Sequence, residues 1–227
     1  VLEVTQIGKA CHGPGCAVQR SVGQCVMPSH GIFARVLRGG AVGPGDAVRV
    51  TCRPLEVLVV TLSDRASRGD YADRSGPAIE ELLRQHFGGS RWPLALGRTV
   101  LPEDPRRLRA ALRAALARGT DIIVTTGGTG IGPRDHTPEA VRSVLDRELP
   151  GIMAVIRTRC ALTLPQAALS RAVAGVAGTT LVYALPGSEQ AVREYLDEIL
   201  KTLEHALMML WGIDVHQQAP SLPGRSR

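Results

Sequence analysis

Aromatic side chains make up only 3% of the 227 residues: two Phe, two Trp and three Tyr. Sequence-tolerant binding of single-stranded nucleic acid needs aromatic platforms for the bases. The net charge of +6 and the pI near 9.5 are therefore not taken as the footprint of a nucleic acid. Lysine is scarcer still, present only as Lys9 and Lys201. The remaining cations are arginines, scattered rather than clustered, which fits a compositional bias and a basic surface that attracts anionic metabolites. No run of about 18 apolar residues occurs, so no membrane-spanning helix is expected. No secretory signal pattern is visible. Five cysteines are an odd number and too few for a disulfide scaffold, so a reducing, cytoplasmic setting is expected. The chain opens on Val1 inside a strand-like run, as expected of a sequence cut from a longer protein.

A change of pattern falls near Arg53-Pro54. Residues 1–53 are β-type and turn-rich, with strands expected at Val1–Ile7, Val22–Val26, Gly31–Leu37 and Ala47–Cys52 and no helical period. Fifty-three residues rarely close a stable barrel, so this stretch is expected to be part of a larger β domain. Residues 54–216 alternate strands and helices. Glu56–Leu62, Ala95–Leu101, Asp121–Thr126 and Thr180–Leu185 are strand-like. Gly76–Phe87, Pro105–Arg118, a segment from Pro138, Gly151–Cys160 and Ser188–Leu210 are helical in pattern. Leu108, Leu112 and Leu116 form one stripe, and Val192, Leu196, Ile199, Leu203, Leu207 and Leu210 another. The expected fold class is α/β, a mostly parallel sheet sandwiched by helices. The tail 217–227 is expected to be disordered.

The most informative stretch is Thr125-Thr126-Gly127-Gly128-Thr129-Gly130-Ile131-Gly132-Pro133-Arg134-Asp135, which follows the apolar run Ile122-Ile123-Val124. Glycines leave amides uncovered and permit positive φ, so the backbone can curl around an anion. A strand entering such a loop and then a helix is where open α/β sheets bind phosphorylated ligands. Two familiar phosphate loops are excluded by spacing. After Gly128-x-Gly130 the third dinucleotide glycine would be Pro133, and Pro133-Arg134 replaces the lysine and hydroxyl of a Walker A loop. A ligand-free glycine turn remains the alternative.

Ser63, Asp64, Asp73, Ser75, Glu103, Asp104 and Asp135 follow strands and are expected along one rim of the sheet. Carboxylates beside a phosphate cradle suit Mg²⁺, which binds few protein oxygens and shares the substrate's phosphates. The competing reading makes Asp64, Glu103 and Asp104 helix caps or first-turn acids. Asp135 is less readily explained that way, because Thr137 is already available as a cap.

Six motifs occur in the order and spacing of one known family. They are Leu62-Ser63-Asp64-Arg65, Asp73-Arg74-Ser75-Gly76-Pro77, Thr126-Gly127-Gly128-Thr129-Gly130, Pro133-Arg134-Asp135-x-Thr137-Pro138-Glu139, Leu169-Ser170-Arg171 and Leu185-Pro186-Gly187. Over residues 55–212 the chain resembles the MogA/MoaB family of molybdopterin adenylyltransferases and relatives. The resemblance implies a homotrimer that transfers AMP from Mg·ATP to molybdopterin and releases pyrophosphate. It implies small-molecule partners, ATP and molybdopterin, and other enzymes of molybdenum-cofactor synthesis. By position, Asp135 with Glu103 or Asp104 would be the catalytic acids, and Asp135 and Glu103 would hold Mg²⁺. Ser63, Asp64, Ser75, Gly127, Gly128, Thr129, Gly130, Ser170, Pro186 and Gly187 would contact nucleotide or molybdopterin. The family often has Asn before Leu-Pro-Gly, where this chain has Ala184. Enzymes that pass AMP through a lysyl adduct need a reactive lysine, and the α/β region has only Lys201, in a pattern that expects it buried. Direct in-line attack is the simpler expectation.

Residues 1–53 resemble the C-terminal half of a MOSC domain, a partial β-barrel, on Leu2-Glu3-Val4-Thr5-Gln6, Cys11-His12-x-x-x-Cys16, Met27-Pro28, Gly31–Val36 and Gly43-x-Gly45-Asp46. Cys16 would be the MOSC cysteine. A zinc site of Cys11, His12, Cys16 and Cys25, or ordinary thiols, are the alternatives. Cys52 and Cys160 are expected to be buried structural residues. For the whole chain, two rivals stand beside the transferase: a molybdopterin-binding protein without turnover, and a trimeric scaffold.

Overall fold

The computed structural model describes residues 1–7, 17–23, 31–49, 53–90 and 92–212. It divides into two compact units, one containing Val1–Arg49 and the chain from His205 onward, the other Val50–Glu204.

In the first unit, β1 (Leu2–Ile7) pairs antiparallel with β2 (Ile32–Val36), and the register shifts between Val4 and Gln6. Ala17–Val22 forms a short helix, α1, where the sequence pattern gives no helical period and starts a strand at Val22. Ala17, Gln19 and Arg20 are good helix formers, and their preference outweighs the two valines. The Ser21 hydroxyl donates back to the Ala17 carbonyl at 2.9 Å. Residues 47–49 pair with no strand. The described residues thus contain one two-stranded ribbon and no barrel. Cys11, His12, Cys16, Cys25, Cys52 and the tail 217–227 lie outside the described residues.

The second unit has β3 (Leu55–Leu62), α2 (Asp64–Ser67), α3 (Ser75–Phe87), β4 (Leu94–Leu101), α4 (Pro105–Ala117), β5 (Ile122–Thr126) and α5 (Thr137–Arg142). It continues with β6 (Arg147–Glu148), α6 (Pro150–Ala161), a 3₁₀ turn (Pro165–Leu169), β7 (Val173–Ala177), β8 (Thr180–Leu185) and α7 (Glu189–Leu210). The six-stranded sheet runs β4-β3-β5-β8-β7-β6. The first four strands are parallel, and β7 and β6 extend the sheet through antiparallel pairings. The mostly parallel expectation holds, with β7 alone reversed and β6 running with the other strands. The cause of the reversal is local: Gly178, at φ +59°, lets the chain turn within two residues from Ala177 to Thr180.

Apolar patterning decides the layers. Every residue of β5 and β8 is buried, as for strands covered on both faces. Leu108, Leu112 and Ala115 of α4 pack with Val60, Ile123 and Val182, while Leu116 is only partly buried beside them. α7 buries Val192, Leu196, Ile199, Leu203 and Leu207 from the stripe read from its spacing, while Leu210 is only half-buried. The parallel register aligns Leu62 with Leu101, Thr61 with Thr126, and Thr126 with Leu185. The loops that leave these strands therefore emerge along one rim.

Candidate functional site

Three rim loops pack backbone against backbone, and glycine is what lets them. Gly127 has φ +103°, and a Cβ there would run into the Leu62 carbonyl oxygen. A Cβ on Gly187 would lie 3.2 Å from Gly127 Cα. The Gly127 amide donates to Leu185 O at 3.1 Å, and the Thr126 hydroxyl donates to Pro186 O at 2.7 Å. Ser75, nearly buried, donates to Gly187 O at 2.7 Å. Pro186, Gly187 and Ser75 thus back the glycine loop.

Asp135 sits within the loop that it closes. Its Oδ2 accepts the Gly132 amide at 2.8 Å, and the Asp135 amide donates back to Gly132 O at 3.1 Å. A Cβ on Gly130 or Gly132 would stand 2.8 or 2.9 Å from that carboxylate oxygen. The spacing of the glycines therefore makes room for Asp135. No described residue accepts a hydrogen bond from the amides of Gly128, Thr129, Gly130 or Ile131. Thr137 is not the cap suggested by the sequence. It is the first residue of α5, which His136 precedes without a side-chain capping bond, and a Cβ on Gly128 would meet its hydroxyl at 2.5 Å.

Arg134 of the glycine loop links acids of two neighbouring loops. It pairs with Asp64, and its Nη2 lies 3.1 Å from Glu103 Oε2. Asp64 Oδ1 also accepts the Glu103 amide at 2.9 Å. Capping accounts for Ser63, whose Oγ accepts the Ala66 amide at 3.2 Å. It accounts equally for Asp104, which accepts the Arg106 amide at 2.8 Å at the start of α4. Glu103 is free of that duty, so the two neighbours are distinguished by geometry. Glu103, Asp104, Gly128, Arg134, His136 and Thr137 line one small, open cleft. Its enclosed space, about 10 Å³, is far below the 300–1,000 Å³ typical of whole-ligand pockets, so it holds no whole ligand and lies open to solvent. Asp73, further along the rim, is tied up by Thr61 Oγ1 at 2.9 Å, Arg98 at 3.1 Å and the Gly76 amide at 3.0 Å.

Ser170 lies just ahead of β7, where its Oγ accepts the Ala172 amide at 3.4 Å. Its neighbour Arg171 is the site residue to which the sequence reading gives no role. The Arg171 amide donates to Thr129 O at 2.8 Å and its Nε to Gly130 O at 2.7 Å. Its terminal nitrogens donate to Asp135 O and to the Glu139 carboxylate. Burial works against ionisation of Glu139. Its own backbone N–H, the Arg171 guanidinium and nearby Arg142 outweigh that and hold its pKa below the usual carboxylate range.

Two expectations are corrected. Lys201 is exposed, with pairs to Asp197 at 3.2 Å and Glu198 at 2.6 Å. It falls on the solvent side of α7, between the buried positions Ile199 and Leu203. Cys160 is half-buried rather than buried, near the carboxyl end of α6. Burial and a bond with Glu194 raise its thiol pKa. Among the described residues no group of three or more His, Cys, Asp and Glu could hold a metal ion, and no helix is long and apolar enough to cross a membrane.

A layered α/β domain with a glycine loop and a cleft at the carboxyl ends of parallel strands has the crevice in which open α/β sheets bind their ligands. Residues 58–205 match the family model described as "Probable molybdopterin binding domain", and the chain belongs to that family. It is 33% identical over 159 residues to the molybdopterin adenylyltransferase of Helicobacter pylori strain J99, covering 70% of this chain and 89% of that protein. It is 37% identical over 158 residues to the molybdenum cofactor synthesis protein cinnamon of Drosophila melanogaster, covering 69% of this chain and 26% of that protein. The chain thus spans about a quarter of that longer relative's length. The crystal structure of the molybdopterin biosynthesis enzyme MoaB from Thermus thermophilus superposes with a TM-score of 0.62 at 41% identity, covering 71% of this chain and 98% of that one. The fold is MogA/MoaB-like. The family match begins at residue 58 and does not reach residues 1–53, for which the comparisons show no MOSC relationship.

Proposed function

We propose that this chain transfers AMP from Mg·ATP to the terminal phosphate of molybdopterin. The observation that carries the reading is the glycine loop, whose amides from Gly128 to Ile131 have no acceptor among the described residues, next to a cleft that Gly128, Glu103 and Arg134 line. Amides and a guanidinium suit phosphate oxygens. An oxygen of the acceptor phosphate attacks the α-phosphorus, a new P–O bond forms, and the bond to the β-phosphate breaks with pyrophosphate leaving. The loop amides hold and orient the phosphate chain, and Arg134 neutralises part of its charge. Positioning and electrostatics supply most of the catalysis in such a step.

The donor set fits Mg²⁺ that arrives with a phosphate chain. Glu103 and Asp135 offer carboxylate oxygens, and such an ion takes one or two of these while the phosphates provide the rest. When bound, it would neutralise charge developing on the leaving pyrophosphate. Ser63, Asp64, Ser75, Ser170 and the Pro186-Gly187 turn are proposed as the surrounding contacts. Lys201, exposed and ion-paired on α7, supports direct transfer over a lysyl adduct. A homotrimer is proposed with this activity. Val155, Leu162 and Leu169 expose large apolar surface on α6 and the segment after it, as association faces do.

The test is to incubate purified protein with ATP, Mg²⁺ and molybdopterin and to quantify pyrophosphate and adenylylated product. Equal amounts of both, dependent on molybdopterin, are expected. Tight pterin binding without pyrophosphate would replace this reading with that of a binding protein.

A further inference from the structure

We infer that Arg171 is the positioning residue of the glycine loop, fixing the direction of its amides from the side away from the ligand. The inference rests on the transferase reading only where kinetics are concerned.

Arg171 meets the loop at its beginning through Thr129 O and Gly130 O, at its end through Asp135 O, and the following helix through Glu139. In a planar trans peptide the carbonyl of one residue and the N–H of the next point in opposite directions. Drawing the Thr129 and Gly130 carbonyls toward Arg171 therefore turns the Gly130 and Ile131 amides away from it. These are two of the four amides for which no described residue is an acceptor. The same relation applies at Asp135, whose carbonyl is held while its carboxylate grips Gly132 at 2.8 Å. Glycine makes the loop able to take this shape, and also many others. Arg171 selects one.

Only a forked cation fits this role. Guanidinium presents five donors in a fixed plane, whereas an ammonium is a point charge on a flexible stem. The Arg171 and Glu139 side chains are 34% and 53% exposed, so their charge attraction is weak in water. The guanidinium bonds to Gly130 O and Asp135 O are what matter; the bond to Thr129 O comes from the Arg171 backbone amide and survives any substitution of the side chain.

The experiment compares the full chain with Arg171→Ala, Arg171→Lys and Glu139→Gln by hydrogen exchange without ligand and by ATP kinetics. The amides of Gly132, Asp135 and Thr137 have acceptors within the loop region. Their exchange should quicken about tenfold or more in Arg171→Ala, and nearly as much in Arg171→Lys, while the β5 amides stay protected. Glu139→Gln keeps both carbonyl bonds and should change little. KM for ATP should rise about tenfold with kcat nearly unchanged, because apparent affinity falls with the fraction of loop that is competent. Unchanged loop exchange in Arg171→Ala, or full rescue by lysine, overturns the inference. Arg171→Lys carries the same test if the alanine variant does not fold. If the wild-type protein neither binds nor turns over ATP, the transferase reading falls while the exchange result still decides the role of Arg171.

Discussion

The Asp64 carboxylate accepts the backbone amide of Glu103 at 2.9 Å, joining the loop after β3 to the loop after β4 across 39 residues of chain. Its other oxygen pairs with Arg134 of the glycine loop. One side chain therefore sets the spacing of three rim loops. Asp64→Ala is expected to cost about 1–3 kcal/mol, the usual penalty for an amide left without its charged partner. It should also weaken ATP binding. Urea unfolding and calorimetric titration measure the two effects; a stable variant with full affinity would show that the loops hold their spacing without Asp64.

Gly127→Ala tests the packing beneath the loop. The positive φ and the nearby Leu62 carbonyl oppose a methyl group together. A destabilisation above the roughly 1 kcal/mol of ordinary Gly-to-Ala effects is expected, with loss of nucleotide binding. Gly119→Ala also has positive φ but meets nothing within 4 Å, so it should cost less in thermal unfolding and leave binding intact.

For Asp135, two substitutions separate shape from charge. Asparagine keeps an oxygen able to accept the Gly132 amide, whereas alanine removes it. Both are expected to fold and to abolish adenylyl transfer, and only the alanine variant should loosen the loop in hydrogen exchange. Wild-type turnover in Asp135→Asn would remove the carboxylate from the proposed chemistry.

Acid should release the Arg171–Glu139 contact late. The pKa of Glu139 is lowered in the folded state, so its contribution to stability is complete above its unfolded value and lost as pH falls through the folded one. The stability difference between wild type and Glu139→Gln should be constant at neutral pH and shrink below roughly pH 4, under the model-peptide value. A difference that persists unchanged to pH 2 would contradict the assignment.

Cys160 should be a sluggish thiol. Its pKa is raised by burial and by Glu194, and the thiolate is the reactive form. Peptide-resolved iodoacetamide labelling at pH 7.5 is expected to lag behind free cysteine and to gain speed in Glu194→Gln.

Much of the fold was legible because its signals are local. Apolar runs gave β3, β5 and β8, and spaced leucines gave α4 and α7. β7 was not legible: Val173–Ala177 is five short residues whose identity as a strand comes from pairing with β8. In residues 1–53 the valines read as strand, yet Ala17–Val22 is helical, since short segments carry weak preferences of both kinds. The acids divided in the same way. Their places at strand ends were visible, but their partners were not, so capping by Asp104 and pairing by Glu103 looked alike.

Read as letters alone, the chain already showed a glycine loop after a buried strand and six motifs in the order of one family. Order and residue type along the chain are enough for that. Folding, in contrast, set Asp135 inside the loop, joined Asp64 to Glu103 through Arg134, and laid Arg171 against the Thr129 and Gly130 carbonyls. Those relations connect residues 31 to 70 positions apart or depend on the direction of single peptide planes, and the chain acquires them only when the sheet brings its loops to one rim.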